Sequence, residues 1–343
     1  MKLPACLLLA LFTGLALPAT AQTPASRAPS AKPSYAVPSP RPLAKRESVK
    51  VALAARFVDF APLYVTKALG EFDKENLDVE LITLRGNEAT VLLMSSKIDV
   101  MASQPSAAFF NAVAGGADIK IVGPGSFPAA TARRGYYVST AWLAGRPYSP
   151  QLLKGVEFGS TQGVGSSPTY YLEKELEKAG LSVRDVKFKI MAGGDIMAAL
   201  EAGAISGGNL SDPYWAVLDP RKAVPAALQP ADLTMGAWLY GPTLLKDRRD
   251  VGMAFMRAVV RTVRTRLQGK YLDDPQVGAI LAKEVDQPLE KLRQNDFSAF
   301  PADYQFEKGL TDKLQRTYQL TPGVLNYADV IPESKVVDMS FVP

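Results

Sequence analysis

The sequence holds few residues arranged for chemistry, and the densest such run is Gly163-Val164-Gly165-Ser166-Ser167-Pro168. Glycines free the backbone, a serine caps a following helix, and Pro168 suits that helix's first turn. Free N–H groups and the helix dipole there favour a carboxylate, sulfonate or phosphate. Thr161, Gly165, Ser166 and Ser167 are therefore candidate ligand contacts, the alternative being that the serines only cap the helix. Further candidates follow other strands: Arg56, Phe57 and Phe60, whose rings offer faces for an apolar or planar ligand, and Gln104, a hydrogen-bonding amide. Asp59 reads as an N-cap beside them. Asp195 follows Gly193-Gly194 and is either a cap or a contact. Asp212, Tyr214 and Trp215 follow a later strand, and Trp238 lies further on; one of these aromatics is expected to face a ligand. Arg133-Arg134 reads as a solvated pair, the alternative being that it holds an anion.

Most other chemistry is closed by composition, carboxylate-based hydrolysis on the plentiful Asp and Glu staying open in principle. The chain contains no histidine, and its one cysteine is Cys6. Ser-His and Cys-His hydrolase arrangements, and zinc or iron sites built on His or Cys, are excluded. There is no GxxxxGK[ST] phosphate loop and no GxGxxG after a strand; Gly163-Val164-Gly165 is half of such a pattern. The sequence thus points to no catalytic residue, metal or cofactor, and to a protein that is not an enzyme.

The 343 residues, 47% hydrophobic and 21% charged, exceed what one core usually covers. Met1-Lys2, the apolar run Leu7 to Leu17 and Ala19-Thr20-Ala21 have the order of a secretory signal over 1–21, too short to span a membrane. Cys6 precedes most of that run, so a lipoprotein anchor is not expected. Residues 22–46, rich in Pro, Ala and Ser, read as a disordered tether. Of the 39 basic residues, six lie in 1–46, which has no acidic residue, leaving 33 against 34 acidic. The basic excess thus sits outside the folded body and does not indicate nucleic acid.

From Val49 onward short β-branched runs alternate with helical patterns, as in an α/β protein with mainly parallel sheets. Gly135 to Thr140, rich in aromatic and β-branched residues, reads as a strand leaving this first unit; the pattern restarts from Leu152 and becomes mostly helical after Trp238. Val251, Phe255, Ala258, Val259 and Val263 share one face of the longest predicted helix. This predicts a first lobe from 47–140, a second from 141–235, and a return to the first over 236–343. Ligands bind in the cleft between two such units.

Three stretches resemble a known family. Pro62-Leu63-Tyr64-Val65-Thr66-Lys67 through Glu71-Phe72 to Glu75-Asn76-Leu77-Asp78-Val79-Glu80-Leu81 is one. Leu153-Lys154-Gly155-Val156 through Gly165-Ser166-Ser167 to Glu177-Lys178-Ala179-Gly180-Leu181 is the second, and Ala198-Ala199-Leu200-Glu201-Ala202-Gly203 the third. Their order is similar to that of solute-binding proteins of ABC importers for aliphatic sulfonates, taurine and nitrate, and of their relatives for thiamine-pyrimidine precursors. The resemblance implies a two-lobed, type II-like periplasmic binding protein. It also implies a small, anionic solute captured in the periplasm by a monomer, with permease and ATPase subunits as partners. A pyrimidine or other aromatic vitamin precursor is the alternative solute, and a membrane sensor the alternative partner. Enzymes of the pyrimidine branch use a histidine and a cysteine-rich motif, and this sequence has neither.

Overall fold

A computed structural model describes residues 35–84, 86–234, 236–295 and 298–343. The expected secretory signal and residues 22–34 of the expected tether lie outside them. The described strands are β1 (Glu47–Leu53), β2 (Leu77–Thr83), β3 (Val100–Ser103), β4 (Lys120–Pro124), β5 (Phe127–Pro128), β6 (Gly135–Ser139), β7 (Glu157–Ser160), β8 (Lys187–Ile190), β9 (Gly207–Leu210), β10 (Ala223–Leu228), β11 (Ala237–Tyr240) and β12 (Ser298–Ala299).

They form two five-stranded sheets of one design. The first has the order β2-β1-β3-β11-β4 and the second, read in the matching direction, β8-β7-β9-β6-β10. β1 runs parallel to β2 and β3, and β7 parallel to β8 and β9. In each sheet one antiparallel strand is wedged in fourth place: β11 pairs with β3 and β4, and β6 with β9 and β10. Those two strands are the first that the chain forms after crossing from the other lobe. β6 therefore belongs to the second sheet, and the crossings run over residues 125–134 and 229–236. The first lobe ends before Gly135 and not near 140, because β6 finds its partners in β9 and β10.

The crossings lie against each other. Gly125 N donates to Gly236 O at 2.8 Å, and Thr234 Oγ1 to Ser126 O at 3.1 Å. A Cβ on Gly125 would stand 3.1 Å from the Gly236 carbonyl carbon, so glycine permits the approach.

The helix Arg249–Arg266 buries Val251, Phe255, Ala258, Val259 and Val263 as its periodicity predicts, and Phe255 stacks on Phe72 at 5.1 Å between ring centroids. The C-terminal part does not return to the first lobe alone. The helix Leu310–Gln319 packs against Ala107–Ala114 of the first lobe and against Pro168–Glu177 of the second. Arg184, at the surface of the second lobe, donates to Leu320 O.

Residues 35–46 lack helix or strand up to Arg46, in keeping with their composition, yet they are not a free tether. Leu43 N donates to Glu75 O at 3.1 Å, and Asn76 Nδ2 to Leu43 O at 2.6 Å. Arg257, Arg261 and Arg264 donate to the carbonyls of Arg41, Pro38 and Ala36. Pro-rich chain has unpaired carbonyls to offer, and these arginines take them.

Candidate functional site

A cavity of about 120 Å³ lies where the two lobes and both crossings meet. Its wall is built from the carboxyl ends of parallel strands, where open α/β sheets place their ligands. The β1 end brings Phe57, Asp59 and Phe60, and the β3 end Ser103 and Gln104. From the second lobe, Thr161 and Gln162 follow β7, and Asn209 to Asp212 close β9. The crossings contribute Arg134 and Gln229, and the helix Pro168–Glu177 adds Pro168 and Tyr171. A larger groove of about 720 Å³ runs along the crossings past Phe127, Tyr271, Phe300 and Phe306. Its wall is mainly apolar, with Gln268, Lys270, Asp303, Gln305 and Glu307 as polar members.

Arg134 is the centre of the cleft. It is 2% exposed, and its guanidinium donates through Nε to Asp212 Oδ1 at 2.9 Å and through NH2 to Asp212 Oδ2. NH2 also donates to Ser298 Oγ at 3.0 Å, while NH1 stands 2.9 Å from Asp59 Oδ1. Trp215 Nε1 donates to Asp212 Oδ1 as well. Asp59 is thus no helix cap. Its Oδ1 accepts from Ser298 Oγ at 2.5 Å and Ser126 Oγ at 3.3 Å, joining the first lobe and the crossing to the same arginine. Two carboxylates on one guanidinium oppose each other. Burial, helped by the like charge of Asp59, pushes the Asp212 carboxyl up to about 7 against the pull of Arg134. Burial also raises the Tyr171 hydroxyl, keeping it protonated where it accepts from Asn209 Nδ2 at 3.0 Å.

Of the residues singled out in the sequence, Phe57, Phe60, Gln104, Thr161 and Asp212 line this cavity. Arg56 lines a small neighbouring depression with Phe57 and Asp212, its charge matched by Glu284 at 2.6 Å. The serine turn lies elsewhere. Ser166 Oγ donates to Gly163 O at 2.7 Å, and Ser167 Oγ reaches across to Pro105 O of the first lobe at 3.0 Å. Neither hydroxyl caps the helix or lines the cavity, and Gly165 instead lets the turn sit against Ala107, a Cβ there standing 3.1 Å from that methyl. Asp195 is exposed in the first turn of its helix, outside the cavity wall. Tyr214 packs face-on against Gly193, where a Cβ would lie 2.4 Å from the ring. Trp238 is fully buried and donates to the Tyr304 hydroxyl.

The residues that sequence reasoning passed over are Gln162, Tyr171, Asn209 and Gln229, and the one it misread is Arg134. Arg133-Arg134 is not a solvated pair: Arg133 is exposed, whereas Arg134 is buried on two carboxylates distant in sequence. No local pattern reveals that. Asn209, a polar residue ending a Gly-Gly-Asn-Leu strand, was the one available signal.

Twin sheets, two adjacent crossings and a polar cleft at the carboxyl ends of the strands define a periplasmic binding protein fold. A family model described as NMT1/THI5 like matches residues 58–269, and the chain belongs to that family. Among solved structures, the alkanesulfonate-binding protein SsuA from Xanthomonas axonopodis pv. citri bound to MOPS is similar over 86% of this chain and 99% of its own, with 18% identity and a TM-score of 0.64. The periplasmic nitrate-binding protein NrtA from Synechocystis is similar over 86% of this chain and 87% of its own, with 14% identity and a TM-score of 0.68. A Candida albicans gene product described as having the generic periplasmic binding protein fold covers 82% of this chain at 16% identity, with 92% of its own length matched and a TM-score of 0.58. No curated protein matches the chain by sequence.

Proposed function

We propose that this chain is the solute-binding component of an ABC-type importer, holding a small molecule in the cleft between its lobes and presenting it to a membrane permease driven by ATPase subunits. One observation carries the reading: the cavity wall takes residues from both lobes and both crossings, Arg134 and Gln229 among them. A solute bound there touches every part that shifts when two lobes hinge, so binding energy favours a closed state. Membership of the NMT1/THI5-like family and likeness in fold to proteins named for alkanesulfonate and nitrate binding support it. Export to the periplasm and action as a monomer belong to the same reading. So does the lack of catalysis.

The test is a thermal-shift screen of small solutes followed by solution scattering on any that bind. A solute that binds only the native protein raises its melting temperature, and the radius of gyration should fall slightly as the crossings at 125–134 and 229–236 bend. A bound solute that leaves the scattering unchanged counts against hinge closure. A bound solute that is chemically consumed counts against a pure binding role.

A further inference from the structure

Any charged solute entering the cleft meets one guanidinium and two carboxylates. Arg134 gives its Nε and NH2 to Asp212 and its NH1 to Asp59. Arg56, which lines the neighbouring depression, is already paired with Glu284. The cavity is therefore neutral when Asp212 is protonated and carries one negative charge when it is not. In neither state does it hold a positive charge free for an anion. Nor does the serine turn supply neutral donors, since its hydroxyls are spent on Gly163 O and Pro105 O.

Neutral donors remain in the Gln104 and Gln162 amides and the Thr161 hydroxyl, and acceptors stand beside them. The bonds to Asp59 all run to Oδ1, from Arg134, Ser126 and Ser298, and Oδ2 accepts from none of the described residues although Asp59 lines the cavity. Phe57, Phe60 and Tyr171 provide aromatic surface beside it. We infer that the cleft selects by charge: it takes a small planar solute that bears N–H donors and is neutral or singly cationic, with Asp59 as the specificity-determining acceptor, and it rejects sulfonates, carboxylates and nitrate. The inference rests on the reading of the chain as a solute-binding protein. An anion could reach the buried arginine only by displacing a carboxylate, and held on neutral donors alone it would stand uncompensated beside Asp59.

Matched ring compounds test it: benzamidine, benzamide, benzoate and benzenesulfonate, with the same four charge types on aliphatic and pyrimidine scaffolds, measured by calorimetry. Binding should be confined to the amidines and amides. Asp59→Asn should weaken amidines by about tenfold or more, the size of one lost charge-assisted hydrogen bond, and amides by less than about threefold. Asp212→Asn serves as the second variant, and the wild-type ranking decides alone if neither folds. A benzoate, benzenesulfonate or aliphatic sulfonate that binds wild type as tightly as its amidine counterpart overturns charge selection and leaves the solute-binding reading standing. Absence of binding by every member of every scaffold overturns the solute-binding reading itself.

Discussion

Arg134 and Asp212 meet from opposite sides of a chain crossing, the arginine closing the first crossing and the aspartate following β9 of the second lobe, and they form a two-point pair. With Asp59 on the remaining guanidinium nitrogen, the pair ties the first lobe, the crossing and the second lobe together. Removing one member of a buried ion pair leaves an uncompensated charge and costs about 3–5 kcal/mol. Above about pH 7, where Asp212 is ionised, Arg134→Leu strands two carboxylates at once and should lose at least that much stability in urea unfolding. Arg134→Lys should rescue only partly, because an ammonium cannot reproduce the fork. A loss below about 1 kcal/mol for Arg134→Leu would mean that the cluster is solvated.

Asp212 gives the stability a pH dependence with a definite sign. Its carboxyl titrates at about 7 in the folded protein, raised first by burial and then by Asp59, with Arg134 opposing and Trp215 donating to it. In the unfolded chain an aspartate titrates at about 3.9. Between those values the folded state holds a proton that the unfolded state lacks, so stability falls as pH rises from about 4 to 7 and levels off above. Asp212→Asn should remove this contribution. Unfolding of wild type and variant compared across that window checks it, and a wild type that gains stability relative to the variant as pH rises contradicts it.

Local pattern carried the strands, the long helix and the strand-end position of the site, because period and turn residues act within a few positions. Phe57, Phe60, Gln104, Thr161 and Asp212 were legible for that reason. Arg134 was not, since a charged pair reads as surface until Asp59, Asp212 and Ser298 arrive from far along the chain. The lobe assignment of β6 failed likewise: Gly135 to Ser139 reads as a strand, but only pairing with β9 and β10 says whose. Ser166 and Ser167 mislead in the other direction, since a good capping sequence gives no notice that nearby backbone carbonyls will take both hydroxyls.

Those serines separate stability from affinity. Each hydroxyl donates to a backbone carbonyl while buried, a bond of about 0.5–1.5 kcal/mol. Ser166→Ala with Ser167→Ala should lower the melting temperature and leave solute affinity within about threefold, well under the tenfold that 1.4 kcal/mol would produce. A tenfold or greater loss of affinity at unchanged stability would return the turn to the binding site.

The last prediction concerns the arm at residues 35–46. Glu75 is completely buried, and its carboxylate accepts from Arg257 Nε at 3.0 Å and NH2 at 2.6 Å, from Arg261 NH1 at 2.8 Å, and from the Arg41 backbone N at 3.1 Å. The arm therefore closes one side of a buried charge network, and its carbonyls accept from Arg257, Arg261 and Arg264. Cutting the chain after Arg46 would admit water to Glu75 and strip acceptors from three arginines. Hydrogen bonds to charged groups are worth about 1.5–3 kcal/mol each, partly regained from water at an opened surface. The truncated protein should lose about 2 kcal/mol or more, and limited proteolysis of the full chain, read by mass spectrometry, should leave residues 35–46 on the stable body. A resistant body that begins near Glu47, with the stability of the full chain, would show that the arm is bound too weakly to matter.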